Sequence, residues 1–423
     1  MFIHVMDRSE SRRRKVRLVS LAIVLAIGVF LRIPSSTLTD AAAPLRVVHL
    51  NSTMKGIGFD ENLYRTYVNV LISRGITSYP DLAEEYVAVQ DHLTSAILPP
   101  TRFLYIFAAY LWHQIWGTEA LSSLKAVASL FSILLLIVSA LFAWRAAGAH
   151  VALCVAALMS CAPTQIHMSQ HALIDGFFAF WATLALWLLW ENLQHPNNWR
   201  WLTGYTFALA LMVMTKENAL FAYLGLAALL VANHWARFGQ TTRVLWMLTF
   251  VGALLGVAVL VNLCGSLQTA TRVYALLTSK ASVLPYAIKT GDGPWYRYLV
   301  DLMLMSPVVL VLAIGQLFQL DRTKKPELYM SIFIAATYLL MCNVRYGMNL
   351  RYTNMWDLPL RFLAVCCLLL ITQRFARWQN LVLGLSVAAI CALELNQYYV
   401  FFVKFGLYEL VTEGLLRAVN IVK

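Results

Sequence analysis

Long apolar runs separated by short polar stretches dominate this chain from end to end. Runs that approach ~20 residues are typical of transmembrane helices, because a helix satisfies all of its backbone hydrogen bonds within the segment. The pattern therefore predicts an all-α polytopic membrane protein with about eleven transmembrane helices. The predicted spans are residues 16–33, 121–143, 149–164, 174–190, 199–214, 217–233, 243–263, 298–320, 328–342, 357–372 and 379–395.

A further apolar run, residues 103–117, is short and contains His113 and Gln114. If this run lies along the membrane surface, most Arg and Lys residues fall in alternate short loops, as the positive-inside rule requires of cytoplasmic loops. We therefore predict an interfacial helix here and a cytoplasmic N-terminus with a retained signal-anchor helix. The predicted cytoplasmic loops hold Arg145, Arg200, Arg237, Arg243, Arg322, Lys324, Lys325, Arg374 and Arg377, whereas the opposite short loops hold Lys216, Arg345 and Arg351.

The same topology places the longest polar segments on the outer, non-cytoplasmic face. The loop 34–120 is too long to be a simple connector, so we expect it to carry interfacial helices and part of the active site. We predict one transmembrane catalytic module over residues 1–395, followed by a short outer-face tail over residues 396–423.

Composition narrows the class of protein. The chain is 60% hydrophobic and 13% charged, whereas a soluble domain carries about a quarter charged residues. Its net charge of +12 suits anionic lipids and phosphate-bearing ligands, and no basic patch with interleaved aromatics indicates a nucleic-acid partner. The seven cysteines form no CxxC pair, which favours apolar packing over disulfides or a zinc finger.

Two adjacent carboxylates, Asp60 and Glu61, open the amphipathic stretch GFDENLYRTYVNVL in the outer loop. In a structural interpretation Asp60 is the N-cap of a helix over residues 61–74, and Glu61 complements the helix dipole. In a functional interpretation Asp60 is a general base towards an acceptor hydroxyl at the membrane surface. The two roles are compatible because a cap position fixes the carboxylate. Asp60 and Glu61 are the candidate catalytic residues.

Further charged residues are expected at the same face. Arginine can bind phosphate through two parallel hydrogen bonds, and a lysine in a tight outer turn can neutralise a lipid-linked phosphate. Structural roles remain open for the same positions, namely dipole pairing for acids, snorkelling for lysine and interfacial anchoring for Arg and Tyr. The candidate substrate-binding residues are Arg102, Asp175, Lys216, Glu217, Arg345, Arg351 and Tyr352.

His167, His171 and Asp175 recur at intervals of four residues, a spacing that one continuous helix would align for a metal ion. Pro163 lies just upstream and leaves the continuity of that helix open. These three residues are weak candidates for a divalent metal site, and no other cofactor is expected.

The ordered outer motifs resemble GT-C-fold glycosyltransferases, in particular the branch of protein O-mannosyltransferases and aminoarabinose transferases. The resemblance implies an inverting enzyme that moves a hexosyl or pentosyl group from a polyprenyl-phosphate carrier to a hydroxyl acceptor at the outer face. It also implies that Asp60 is the base and that Lys216 and the arginines hold the donor phosphate. The similar segments, in order over residues 16–370, are FDENLY, LPPTRFLYIFAAYLWHQIWG, HALIDGFFAFWATLALWLL, MTKENAL, GPWYRYLVDLMLMSPVVLVL and NLRYTNMWDLPL.

The chain departs from some relatives at Ile97 and Leu98, where those proteins carry a charged residue before the proline pair, which argues against a metal there. The short segment 396–423 favours a lipid, glycan or small membrane-bound acceptor at least as well as a protein, and a bacterial inner membrane is expected. A transporter or flippase of a lipid-linked or anionic substrate is the alternative, although no inverted repeat is visible. A membrane acyltransferase would need a base such as His113 or His171, and neither has an evident partner.

Overall fold

Every apolar run predicted as a span contains one helix or two consecutive helices in the computed structural model, which describes residues 8–34, 49–281, 283, 293–344 and 348–422. No strand occurs among these residues, so the all-helical prediction is confirmed. The first helices are α1 (Arg8–Arg32), α2 (Phe59–Arg74), α3 (Tyr79–His92), α4 (Phe103–Trp116), α5 (Ala120–Ala147), α6 (Ala149–Ser160), α7 (Pro163–Gln170), α8 (Ile174–Gln194) and α9 (Trp199–Val213). The later helices are α10 (Ala219–Ala236), α11 (Arg243–Leu263), α12 (Leu267–Ala281), α13 (Arg297–Met305), α14 (Pro307–Leu317), α15 (Lys325–Met341), α16 (Asp357–Thr372), α17 (Gln379–Tyr398) and α18 (Thr412–Ala418).

The chain is an integral, multi-pass membrane protein. Within the described residues, α5, α8, α10, α11 and the helical stretch Leu350–Lys404 are long and apolar enough to cross a bilayer, which makes five. The pair α6 and α7, bent by 55°, gives a sixth if it forms one span. The predicted total of eleven spans remains a prediction, because several apolar runs fold into shorter helices. The interfacial placement of α4 also remains a prediction.

Proline and glycine mark several of the helix boundaries. Pro163 and Pro307 lie in the first turns of α7 and α14, where a missing N–H costs no helical hydrogen bond. Gly148 has a φ of +85°, which allows the sharp reversal between α5 and α6. The chain is extended at His171, so α7 and α8 are two separate helices.

A buried ionic network holds two later helices against the start of α7. The guanidinium of Arg361 donates to Asp357 Oδ1 at 2.7 Å and to Glu394 Oε2 at 2.5 Å. Asp357 Oδ2 also accepts hydrogen bonds from Thr164 at 2.8 Å and from Gln165 at 2.6 Å. Because unpaired charges are costly in an apolar interior, this network fixes α16 and α17 against the first turn of α7.

The segment predicted as the first outer loop contains its own packed layer. Helices α2 and α4 share an apolar core with the ends of α5 and α8, formed in part by Tyr64, Val68, Tyr105, Leu124 and Phe177. This shared core holds α2 against the break between α7 and α8. The first turn of α2 is therefore held at a defined place.

The chain after α17 folds back towards the same place. A π-helical turn, Tyr399–Lys404, ends α17, and Gly406 with a φ of +58° reverses the chain. We call residues 405–411 the C-terminal strap. Within it, the Leu410 carbonyl accepts a hydrogen bond from the Leu350 N–H at 3.1 Å. The strap therefore packs on the 3₁₀ helix Leu350–Trp356, although it belongs to the segment predicted as a tail.

Candidate active site

Gly58, and not Asp60, is the N-cap of α2. Glu61 provides the capping carboxylate, because its Oε2 accepts a hydrogen bond from the Gly58 N–H at 2.8 Å. A Cβ at Gly58 would overlap the ring of Tyr408 on the C-terminal strap, so a larger residue at this cap would require that ring to move. The prediction that Asp60 caps a helix over residues 61–74 is therefore wrong. Asp60 instead lies in the first turn of α2.

Glu61 joins α2 to the break between α7 and α8. Its Oε1 accepts a hydrogen bond from the Ala172 N–H at 2.7 Å and lies 3.4 Å from His171 Nδ1. Burial raises the pKa of Glu61, but the His171 imidazole and the backbone N–H groups of Ala172 and Gly58 outweigh it and lower the pKa to about 2. Both oxygens of this anion are thus engaged in holding the backbone, which leaves Asp60 as the available neighbour.

Asp60 pairs with Arg351 from the 3₁₀ helix. Arg351 Nη2 lies 3.0 Å from Asp60 Oδ2 and 3.3 Å from Glu409 Oε2 on the C-terminal strap. Arg351 is buried, whereas the Asp60 side chain keeps 14% of its surface exposed. One guanidinium nitrogen therefore links the first outer loop to the strap.

Asp175 and Lys216 form a second, fully buried pair beside Arg351. Lys216 Nζ lies 2.5 Å from Asp175 Oδ1 and 4.1 Å from the centre of the Tyr352 ring. Burial is the largest influence on Lys216 and lowers its pKa, although the Asp175 carboxylate acts in the opposite direction. Arg351 Nε lies 3.9 Å from Asp175 Oδ2, so the two ion pairs adjoin.

Arg102 and Glu217 form a third pair that supports the lysine-containing turn. The guanidinium donates to Glu217 Oε2 at 2.9 Å and to Tyr64 Oη at 2.6 Å. Tyr64 lies one helical turn after Asp60 on α2. The Arg102–Glu217 pair thus connects the turn between α9 and α10 to the helix that carries Asp60.

Several buried donors at the centre of this cluster are left unpaired. Arg351 Nε and Nη1 and Tyr408 Oη make no hydrogen bond within the described part of the chain. Buried donors of this kind normally have partners. An anionic ligand placed here would accept a hydrogen bond from Nε or Nη1 of Arg351 and be neutralised further by Lys216. Asp60 would stand on the opposite side of the guanidinium as a proton acceptor.

The hypothesis of a metal site at His167, His171 and Asp175 is not supported. The helix α7 ends at Gln170, so the three residues do not share one helical face. His167 stacks on Phe402, and Asp175 pairs with Lys216. No group of three or more His, Cys, Asp or Glu side chains in the described ranges is placed to hold a metal ion.

The structure brings Asp60, Asp175, Lys216, Arg351 and Tyr352 together and places Arg102 and Glu217 at their edge. Arg345 lies outside the described residues. Sequence reasoning missed Tyr408 and Glu409. The only local signal for them is an acidic residue beside a tyrosine in KFGLYELVTEG, after the last apolar run.

Part of the chain matches a known protein family. Residues 97–278, which include Arg102, Asp175 and Lys216, match the family model described as dolichyl-phosphate-mannose-protein mannosyltransferase. The matched segment is less than half of the chain and does not reach Asp60. A comparison with curated proteins finds no significant match.

Solved structures share the fold. ArnT from Cupriavidus metallidurans in the apo state is 16% identical with a TM-score of 0.52, and the match covers 90% of this chain and 64% of ArnT. ArnT bound to undecaprenyl phosphate is 14% identical with a TM-score of 0.51, over 96% of this chain and 77% of ArnT. AglB, the oligosaccharyltransferase of Archaeoglobus fulgidus, in complex with an inhibitory peptide and a dolichol-phosphate, is 14% identical with a TM-score of 0.57, over 92% of this chain and 55% of AglB.

These structures confirm the resemblance and the GT-C-type helical fold expected from the sequence. The chain spans less than two thirds of the apo ArnT structure and of AglB. At identities of 14–16% the likeness concerns the fold. The residues of the site itself therefore provide the basis for assigning a substrate and a reaction.

Proposed function

We propose that this chain is an inverting glycosyltransferase that moves a hexosyl or pentosyl group from a polyprenyl-phosphate carrier to a hydroxyl acceptor. The observation that carries the proposal is Arg351, a buried guanidinium with two unpaired nitrogen donors, Nε and Nη1, between Lys216 and Asp60. A phosphate site beside a carboxylate base is the arrangement that this transfer needs. The family model and the GT-C fold support the same reaction class.

The donor phosphate would bind at the unpaired donors of Arg351, Nε or Nη1. Either group can donate a charge-assisted hydrogen bond to a phosphate oxygen. Lys216 would add a positive charge from the adjoining pair with Asp175. Both cations would stabilise the negative charge that develops on the phosphate as the bond to the sugar breaks.

Asp60 would act as the general base. The acceptor hydroxyl oxygen attacks the anomeric carbon, its proton passes to Asp60, and the electron pair of the breaking sugar–oxygen bond leaves with the phosphate. Attack from the side opposite the phosphate inverts the anomeric carbon. The partly exposed side chain of Asp60 gives an acceptor access to this carboxylate.

We assign Glu61 a positioning role in place of the catalytic role expected from the sequence. Its two oxygens hold the Gly58 and Ala172 N–H groups, so they are not available to a substrate hydroxyl. Glu217, with Arg102, supports the turn that carries Lys216. No step of the proposed reaction uses a metal ion.

The charge pattern supports a reaction at the outer face, with a cytoplasmic N-terminus and a bacterial inner membrane as the setting. The acceptor class remains a hydroxyl-bearing lipid, glycan or protein. ArnT with undecaprenyl phosphate and AglB with dolichol-phosphate provide the reason to test both kinds of carrier.

The test is release of free polyprenyl phosphate in detergent from sugars linked to undecaprenyl phosphate and dolichyl phosphate, with a panel of lipid, glycan and peptide acceptors. We expect release by the wild type, loss of release in Asp60→Asn, and retained binding of the carrier by that variant. Asp81→Asn is the matched control, because Asp81 is an exposed acid in the first turn of the neighbouring helix α3. Carrier transport across vesicles without any release would contradict the proposal in favour of a flippase.

A further inference from the structure

We propose that Glu409 on the C-terminal strap is a positioning residue that limits how tightly Arg351 holds Asp60. This inference rests on the proposed function, since it concerns the base of that reaction. It gives the segment after the last predicted span a role in the chemistry.

The geometry of Arg351 Nη2 carries the inference. This nitrogen lies 3.0 Å from Asp60 Oδ2 and 3.3 Å from Glu409 Oε2. It bears two hydrogens, so it can serve both carboxylates at once. A base that is held by a guanidinium alone would be stabilised as an anion and would be a poor proton acceptor. A second carboxylate on the same nitrogen reduces that hold.

Glu409 is itself fixed in place. Asn349 Nδ2 donates to Glu409 Oε2 at 2.6 Å, and Asn349 Oδ1 accepts from the Arg351 N–H at 3.0 Å. One asparagine thus couples the Glu409 carboxylate to the backbone that carries the guanidinium. The adjacent backbone pair between Leu350 and Leu410 adds a second tie. These contacts therefore hold the Glu409 carboxylate at a fixed position beside Arg351.

The contact between Glu409 and Arg351 would matter when the acceptor proton passes to Asp60. As Asp60 becomes neutral, its attraction for Arg351 falls. The contact with Glu409 keeps the guanidinium in place, so Nε or Nη1 remains available to the donor phosphate while charge builds on it. The other charged or titratable groups that face Asp60 and Arg351 are Glu61 and Tyr64 of α2, His167 of α7, Asp175 of α8, Lys216 of the turn between α9 and α10, Tyr352 of the 3₁₀ helix and Tyr408 of the strap.

The experiment compares the pH dependence of kcat and KM for wild type, Glu409→Gln and Glu409→Asp. In Glu409→Gln the guanidinium is left to Asp60, which favours the ionised carboxylate. We expect the acid limb of the kcat profile to move to lower pH by about one unit and kcat to fall roughly tenfold, with little change in KM for the donor. Glu409→Asp, which keeps the charge, should recover part of kcat.

Glu413→Gln is the matched control. Glu413 lies on α18, four residues after Glu409, where it is exposed and pairs with Arg417 one helical turn away. Thermal unfolding of each variant in detergent separates the proposed role from a structural one. An unshifted acid limb in Glu409→Gln, with kcat and the unfolding temperature falling together, would overturn the inference. Failure of the wild type to release carrier phosphate would instead overturn the proposed function, before any variant is compared.

Discussion

Arg351 Nη2 and Asp60 Oδ2 lie 3.0 Å apart, although 291 positions separate the two residues in the chain. The contact closes the segment predicted as the first outer loop onto the short 3₁₀ helix that precedes α16. Because the guanidinium is buried and its Nε and Nη1 make no hydrogen bond in the described structure, the contact leaves two nitrogen donors available beside a carboxylate.

Replacing Arg351 by lysine should weaken binding of undecaprenyl phosphate. An ammonium group is compact, so it cannot contact two carboxylates and also reach a phosphate, as the larger planar guanidinium can. We expect the Kd to rise on the order of tenfold, equivalent to about 1.4 kcal/mol, in titrations with undecaprenyl phosphate in detergent. Arg374→Lys, at an exposed position between α16 and α17, should leave the Kd unchanged. Equal affinities for Arg351→Lys and wild type would exclude Arg351 as the phosphate ligand.

Replacing Lys216 by methionine should destabilise the protein, because Asp175 would remain buried without its closest partner. Loss of one partner of a buried ion pair costs about 3–5 kcal/mol. The double variant Asp175→Asn with Lys216→Met removes both charges and should recover much of that loss. Thermal unfolding of the two single variants and the double variant measures the coupling. Simple additivity of the two single effects would show that the pair does not interact.

Replacing Gly58 by alanine should displace the C-terminal strap from the start of α2. The added Cβ would overlap the Tyr408 ring, and forcing an atom into a packed position costs about 1–3 kcal/mol. We expect a lower unfolding temperature together with reduced release of polyprenyl phosphate. Gly384→Ala is the control, since a Cβ at Gly384 has no neighbour within 4 Å in the described structure. Full activity in Gly58→Ala would mean that the strap and α2 need not touch.

Replacing Glu61 by glutamine should reduce stability in a pH-dependent manner. The pKa of Glu61 is lowered in the folded protein from 4.5 to about 2, because the His171 imidazole and two N–H groups outweigh burial. Its stabilising contribution, up to about 3 kcal/mol, is therefore complete above about pH 4.5 and is lost as the pH falls towards 2.

Unfolding temperatures of wild type and Glu61→Gln should accordingly differ by a constant amount from pH 7 to pH 5 and converge below about pH 4.5. Glu84→Gln, at an exposed position on α3, should show no comparable difference. A gap between wild type and Glu61→Gln that does not change down to pH 3 would contradict the role of the ionised carboxylate.

The helices could be predicted from the sequence because lipid requires each spanning segment to satisfy its own backbone. The meeting of Asp175 and Lys216 could also be anticipated, since both follow the outer ends of apolar runs and an isolated charge there needs a partner. Their separation and burial could not, because these depend on how α8 packs against the turn between α9 and α10.

The start of α2 could not be assigned correctly because two distant residues decide it. The Tyr408 ring leaves no room for a side chain at position 58, and the Ala172 N–H attracts the Glu61 carboxylate. The same hydrogen bond lies at the break that separates His167 from Asp175. It pairs an N–H that a continuous helix through His171 would have used, so the break between α7 and α8 leaves this group satisfied.

Glu409 was missed for a related reason. Its partners, Arg351 and Asn349, lie about sixty residues earlier, and no periodic pattern connects them. A charge in a polar segment after the last apolar run is ordinarily a solvated one. Only the return of the strap gives it a partner.

The strap also sets an order of events during synthesis. Asp60 leaves the ribosome early and Arg351 much later, while Glu409 follows only after α17 has been made. Until then Arg351 lacks one of the two carboxylates that its Nη2 contacts in the folded protein. The strap therefore brings its carboxylate to the site after helices α1 to α17 have been synthesised.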